Sequence, residues 1–182
     1  SRGLFVELDG YRCLVLDDGT SGCIAAAVDG SDLDQLEEPL RLLACLGSHA
    51  TLAVAKALHA QAGRPNIYIK IPGTREGLAA IEQATFAGVP INVTLLFSRE
   101  QYVASAEAYL RGIERRIAAG LAPDVASVAS LFVSRWDVAV SGKVPDPLSN
   151  RLGIAIAQRT YKAYRDLIAS SRYQRVMNAG AR

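Results

Sequence analysis

A lysine, Lys70, lies inside the short apolar run IYIKIP. Burying an ammonium group among apolar residues lowers its pKa and frees the neutral amine, which is the form that attacks a carbonyl carbon. The structural alternatives are a lysine that reaches solvent from a strand end, or one that pairs with a carboxylate. The apolar run alone leaves these interpretations open.

Two further segments place polar side chains within apolar runs. Asn92 and Thr94 in INVTLLF are two residues apart, so on a strand they share one face and can hydrogen-bond to a carbinolamine oxygen or to sugar hydroxyls. Backbone groups at a strand end satisfy such side chains equally well. Ser130 and Arg135 in VASLFVSRWD suit a phosphate monoester, because a guanidinium offers bidentate, charge-assisted hydrogen bonds. An ion pair between Arg135 and the nearby Asp137 is the alternative.

The segments that carry these residues alternate between short runs rich in Val and Ile and longer amphipathic stretches. This alternation predicts an α/β fold with a parallel sheet. We predict strands over residues 66–71, 91–97 and 127–133, and helices over residues 74–87, 98–120 and 152–169. Functional groups collect at the carboxyl ends of parallel strands. All five candidates lie on or just after these strands: Lys70, Asn92, Thr94, Ser130 and Arg135.

Helix boundaries follow from capping residues. Thr74 is the predicted cap of the first helix, and Ser98 with Gln101 three residues later forms a capping box for the second. Upstream, residues 12–17 indicate a strand followed by the turn GTSG, and residues 33–62 are mostly helical with a break near Gly47. The chain is interpreted as a single domain over residues 1–182.

Composition limits the function classes. Lys and Arg total 20 against 18 Asp and Glu, a net charge of +2 that does not favour nucleic-acid or membrane-surface binding. No run approaches the roughly 18 apolar residues of a membrane span. Cys13, Cys23 and Cys45 lack metal-ligand spacing and indicate reduced thiols in the cytoplasm.

Taken together, these motifs resemble the transaldolase family. The string NIYIKIPGTREGLAAIEQATFAGVPINVTLLFS is similar to the family's Schiff-base lysine strand and its asparagine-x-threonine strand, and VASVASLFVSRWD is similar to its phosphate-binding strand. LGIAIAQRTYKAYRDLI and the closing NAGAR extend the resemblance over residues 49–182. The resemblance implies a (β/α)8 TIM barrel that is incomplete within these residues.

The resemblance also implies residue roles. Lys70 is expected to form the Schiff base, Asn92 and Thr94 to support it, and Ser130 with Arg135 to bind the substrate phosphate.

The family uses two acidic residues upstream of the lysine. RCLVLDDG is similar to its first strand, so Asp17 is the expected catalytic aspartate, with Asp18 as the second choice. The family's glutamate strand is poorly matched, and Glu37 or Glu38 in QLEEP are its candidates.

The implied reaction transfers a dihydroxyacetone unit from sedoheptulose 7-phosphate to glyceraldehyde 3-phosphate, giving erythrose 4-phosphate and fructose 6-phosphate. No metal or organic cofactor is expected. The expected partners are sugar phosphates, without nucleic acid or membrane, and a homodimer is compatible with the sequence.

The chain also departs from the family pattern. At 182 residues it is shorter than the roughly 200 at the low end for this barrel, and the family's threonine-rich second strand is not found. We expect these residues to be part of a longer natural chain. The alternative is a degenerate, non-catalytic barrel that binds sugar phosphate or has a structural role. A Schiff-base aldolase without acceptor transfer is the enzymatic alternative, although the long helix over residues 98–120 resembles transaldolases proper.

Overall fold

The computed structural model describes the backbone of residues 4–8, 11–15, 27–28, 48–64 and 66–181, and the side chains of residues 51–64 and 66–181. Four acidic candidates therefore lie outside the described residues: Asp17, Asp18, Glu37 and Glu38. The helix predicted upstream of residue 48 lies outside them as well. Across the described ranges, no helix has both the length and the apolar character needed to cross a membrane.

The N-terminal strands form an antiparallel sheet. Strands β1 (Leu4–Leu8), β2 (Tyr11–Val15) and β3 (Ala27–Val28) are arranged in the order β1-β2-β3. The predicted strand over residues 12–17 thus exists as β2, but its antiparallel pairing differs from the parallel strand that the resemblance implies. A local cause is visible in the sequence, because Leu8 pairs with Tyr11 and the two residues between them are Asp-Gly, the typical sequence of a two-residue hairpin loop.

The remainder of the described chain is α/β with a parallel sheet, as the sequence predicts. Strands β4 (Ile69–Pro72), β5 (Ile91–Leu96) and β6 (Ser127–Leu131) lie in the order β4-β5-β6, and both pairings are parallel. The helices are α1 (Ser48–Ala62), α2 (Gly77–Phe86), α3 (Arg99–Ala118), α4 (Ser134–Ala139), α5 (Leu152–Ile168) and α6 (Ser171–Asn178), with a 3₁₀ turn at Asp146–Leu148.

Capping explains where two of the helices begin. At α3 the Ser98 hydroxyl accepts a hydrogen bond from the Gln101 backbone N–H (3.1 Å), and the Gln101 side chain accepts one from the Phe97 N–H (2.8 Å). The predicted capping box is therefore present, with its return bond one residue earlier than usual. At α2 the prediction is three residues early, because Thr74 accepts from the Gly77 N–H (3.3 Å) within a turn that precedes the helix.

One face of the parallel sheet packs against α1, α2 and α3. The residues of β4 and β5 on this face are at most 3% exposed: Ile69, Ile71, Ile91, Val93 and Leu96. They meet small helix residues and two large ones, Leu58 and Ile81, which are also buried. Each buried Ile or Leu contributes about 1.5–3 kcal/mol through removal of apolar surface from water. The core therefore fixes the strands and leaves the opposite face of the sheet for other contacts.

Helix α6 is held to α3 by one arginine. The Arg172 guanidinium donates two hydrogen bonds to the Glu114 carboxylate, at 2.6 and 2.8 Å, and a further one to the Glu107 carboxylate. The Arg172 hydrogen bonds are the largest influence on the pKa of Glu114 and lower it, while burial acts in the opposite direction.

The ion pairs of Arg172 are predicted to stabilise the fold in a pH-dependent way. Because the folded-state pKa of Glu114 lies below its unfolded value, the stabilisation is fully present above the ordinary pKa of a glutamate and is lost as the pH falls through the folded pKa. We expect Arg172→Met to lower the free energy of unfolding by about 1 kcal/mol near neutral pH, a value discounted for the partial exposure of the carboxylates. Urea unfolding near pH 7 and near pH 3.5 measures this, and the difference between variant and wild type should shrink at the lower pH.

The control is Arg175→Met on the same helix, because Arg175 is exposed and acts on the pKa of Glu114 only through its charge, so its loss should be clearly smaller. An equal loss in both variants, or a loss from Arg172→Met that does not change with pH, would contradict the assignment.

Candidate functional site

Lys70 and Asn92 lie side by side on the parallel sheet. Lys70 of β4 is the register partner of Asn92 of β5, and Pro72 is the partner of Thr94. Register partners in a parallel sheet share a face, so Lys70, Asn92 and Thr94 all lie opposite the face that packs against the helices. This is the arrangement expected from the spacing of Asn92 and Thr94.

Ser130 joins this group through a direct contact. Asn92 pairs in register with Val128, and Ser130 follows two residues later on the same face of β6. The Ser130 hydroxyl donates a hydrogen bond of 2.8 Å to the Asn92 side-chain carbonyl oxygen. Four of the candidate side chains are therefore on one face of three adjacent strands.

A β-bulge in β5 sits next to Thr94. Val93 pairs with Ala129 but Leu96 pairs with Leu131, so β5 carries one extra residue, and Leu95 has a φ of +58°. A positive φ is unusual for a bulky residue. The bulge returns Leu96 to the helix-packed face, where it is 0% exposed, and leaves Thr94 on the face of Lys70.

Lys70 is partly buried and has no carboxylate partner among the described side chains. The other three lysines of the sequence are Lys56, Lys143 and Lys162. Lys162 pairs with Asp166 at 2.8 Å, and the Lys143 ammonium donates to the Ala139 carbonyl at 2.9 Å. Within the described part of the chain, the ion-pair interpretation of Lys70 is therefore not supported.

Arg135 lies on α4, just beyond the carboxyl end of β6, and is exposed. Its guanidinium stacks over the Phe132 ring, 4.6 Å from the centroid. It forms no ion pair with Asp137, whose carboxylate instead accepts a hydrogen bond from the Gly153 N–H at 3.1 Å. The ion pair that was the structural alternative for Arg135 is thus not formed.

Trp136, which is not among the predicted site residues, anchors this helix. The Trp136 indole N–H donates to the Phe97 carbonyl oxygen at 2.8 Å, and the Phe97 and Phe132 rings stack with centroids 5.2 Å apart. These contacts tie α4 to the ends of β5 and β6 and so fix Arg135. The available signal was that Trp136 is the only tryptophan of the sequence and directly follows Arg135.

A cavity of about 390 Å³ lies on the other face of β5 and β6, toward α3 and α5. Its lining is largely apolar and includes Tyr102 and Tyr109, and burial raises the pKa of each phenol to about 12. The Tyr109 hydroxyl donates to the Val125 carbonyl at 2.8 Å. Because phenols stay protonated here and neither Lys70 nor Asn92 lines this cavity, we place the candidate site on the opposite face.

The site is that of an α/β protein with a partly buried lysine and hydrogen-bonding side chains on adjacent parallel strands. Residues 45–182 match the family model for transaldolase/fructose-6-phosphate aldolase. The chain therefore belongs to the transaldolase/fructose-6-phosphate aldolase family, which confirms the resemblance drawn from the motifs.

Individual transaldolases are also similar to this chain. The chain is similar to transaldolase 2 of Nostoc sp. strain PCC 7120, with 37% identity over 152 residues that cover 74% of the chain and 40% of the relative. It is 40% identical to a transaldolase of Parafrankia sp. over 140 residues, and 41% identical to that of Thermobifida fusca over 140 residues, each covering 72% of the chain and 38% of the relative. The chain thus spans about two fifths of the length of the curated relatives it matches.

Proposed function

We propose that this chain contributes the Schiff-base site of a transaldolase, with Lys70 as the nucleophile. The main support is that Lys70, Asn92 and Ser130 lie next to one another across β4, β5 and β6. Asn92 and Ser130 are joined by a hydrogen bond of 2.8 Å. Family membership supports the reaction class, because the curated relatives bear the name transaldolase.

The proposed chemistry starts with attack of the Lys70 amine on the carbonyl carbon of a ketose phosphate, followed by loss of water to give an imine. Removal of the C4 hydroxyl proton then breaks the C3–C4 bond, and its electron pair enters the protonated imine. An aldose phosphate leaves and a dihydroxyacetone unit remains on Lys70. A second aldose phosphate accepts this unit, and hydrolysis of the new imine frees the enzyme.

The remaining roles follow the resemblance. Asn92 and Thr94 would hydrogen-bond the reacting oxygens, and Arg135 would bind the phosphate, because its guanidinium is exposed at the carboxyl end of β6. The resemblance also assigns Ser130 to the phosphate. Asp17 is the proposed carboxylate that removes the hydroxyl proton through a water molecule.

At the level of the fold, the proposal is that β4 to β6 are part of a (β/α)8 barrel in one domain over residues 1–182. The parallel order of three consecutive strands, each followed by a helix, supports this. The proposed substrates are sedoheptulose 7-phosphate and glyceraldehyde 3-phosphate, with erythrose 4-phosphate and fructose 6-phosphate as products, and the proposed compartment is the cytoplasm.

Product analysis with and without an acceptor tests this function. With fructose 6-phosphate and erythrose 4-phosphate, we expect sedoheptulose 7-phosphate and glyceraldehyde 3-phosphate to form in equal amounts. Without erythrose 4-phosphate, release of glyceraldehyde 3-phosphate should stop near one equivalent of enzyme, because the dihydroxyacetone unit stays on the lysine. Mass spectrometry of the products measures both arms.

The outcomes separate the candidate functions. Continued release of glyceraldehyde 3-phosphate and dihydroxyacetone without acceptor identifies a Schiff-base aldolase and contradicts acceptor transfer. No product in either arm, from a chain that binds fructose 6-phosphate, supports the non-catalytic alternative.

A further inference from the structure

The hydrogen bond between Ser130 and Asn92 assigns Ser130 a role other than phosphate binding. A serine hydroxyl has one proton to donate, and here Ser130 donates it to the Asn92 carbonyl oxygen at 2.8 Å. A phosphate dianion needs donors from its site. Ser130 therefore cannot make both contacts at once with its single proton.

The contact determines how the Asn92 carboxamide is turned. Its oxygen points toward Ser130 on β6, so the NH₂ group of the planar amide is turned away from β6. The strand on that other side is β4, where the register partner of Asn92 is Lys70. Across the described side chains, the bond from Ser130 is also the one hydrogen bond made by the Asn92 side chain.

We infer that Ser130 is a positioning residue, which holds the Asn92 carboxamide so that its NH₂ donors face the carbon attacked by Lys70. This inference rests on the proposed function. Attack on a carbonyl gives a carbinolamine whose oxygen gains negative charge, and a donor fixed in advance stabilises that oxygen. A flipped amide would present its carbonyl oxygen instead, which repels the same charge.

The test compares two substrates that form an imine with the lysine, one without a phosphate group and one with it. Dihydroxyacetone and fructose 6-phosphate are each incubated with enzyme and borohydride, and the rate of adduct formation is followed by intact mass. We expect Ser130→Ala to slow adduct formation about tenfold with both substrates, since the hydrogen bond that orients Asn92 is lost in each case. Ser130→Thr keeps the hydroxyl and should recover most of the rate.

Ser127→Ala is the matched control. It removes a hydroxyl from the same strand, but Ser127 is the register partner of Ile91 and lies on the helix-packed face, so its rate should equal that of wild type. A loss confined to fructose 6-phosphate would show that Ser130 binds phosphate and would overturn the inference, as would an unchanged rate with Ser130→Ala.

A second readout does not depend on catalysis. In nuclear magnetic resonance spectra the side-chain amide protons of Asn92 should shift in Ser130→Ala and stay at the wild-type position in Ser127→Ala. An unshifted amide in Ser130→Ala overturns the inference. A different result is that the Asn92 amide shifts in Ser130→Ala but the wild-type chain forms no adduct. That result would contradict the proposed function and support only the contact between Ser130 and Asn92.

Discussion

Replacing Lys70 with Ala should abolish covalent trapping by fructose 6-phosphate and borohydride and lower any transferase rate by roughly 10³-fold or more, because Lys70 is the one lysine on the three described parallel strands. Lys70→Met, which keeps an apolar stem in the strand, should lose the same activity with little change in stability. Intact mass after reduction measures the adduct, and circular dichroism checks the fold.

The other three lysines are matched controls for this result. Lys56, Lys143 and Lys162 lie on helices or in a loop outside the parallel sheet, and each can be changed to Ala singly. We expect wild-type trapping in all three variants. Full trapping that persists in Lys70→Ala, or disappears in one of the controls, would show that a different amine reacts.

The second large effect is expected from Gly77→Ala at the start of α2. A Cβ at Gly77 would lie 1.9 Å from the Pro72 carbonyl oxygen, which is backbone and cannot rotate aside. Relief of this overlap requires the start of α2 and the end of β4, the strand that carries Lys70, to move apart. We expect a loss of about 3 kcal/mol in the free energy of unfolding and a large fall in the rate of adduct formation.

Ala79→Ser is the control, because it also adds one side-chain atom to α2 but at an exposed position. Urea denaturation should give a near-wild-type stability for Ala79→Ser, usually within about 0.5 kcal/mol for such a surface change. Gly77→Ala with unchanged stability and unchanged adduct formation would contradict the view that this close approach fixes the position of β4.

Local signals in the sequence were sufficient for much of the α/β segment. The capping residues of α3 placed its start correctly, and the alternation of apolar runs and amphipathic stretches predicted three parallel strands. Strand β4 was predicted from residue 66, but pairing begins at Ile69, since an apolar run shows where a strand can form and not where a neighbour is present. For β2 the apolar run predicts the strand, and the Asp-Gly pair before it is the local signal for its antiparallel pairing.

The contact between Asn92 and Ser130 could not be predicted, although both residues were candidates. They are 38 residues apart, and their meeting depends on the register between β5 and β6. That register is set by packing of the opposite face and by the bulge at Leu95, neither of which leaves a local pattern in the sequence. The phosphate role expected for Ser130 therefore rested on its hydroxyl and its closeness to Arg135 in the sequence, and the family resemblance implied the same role.

The most direct test of the imine at Lys70 is to locate the reduced adduct within the wild-type chain. Trypsin normally cuts after lysine, so modification of Lys70 should block that cut and yield a single peptide over residues 57–75 that carries the added three-carbon unit. This peptide, with unmodified cleavage after positions 56, 143 and 162, is the expected result. An adduct on any of those three lysines, with normal cleavage after Lys70, would contradict it.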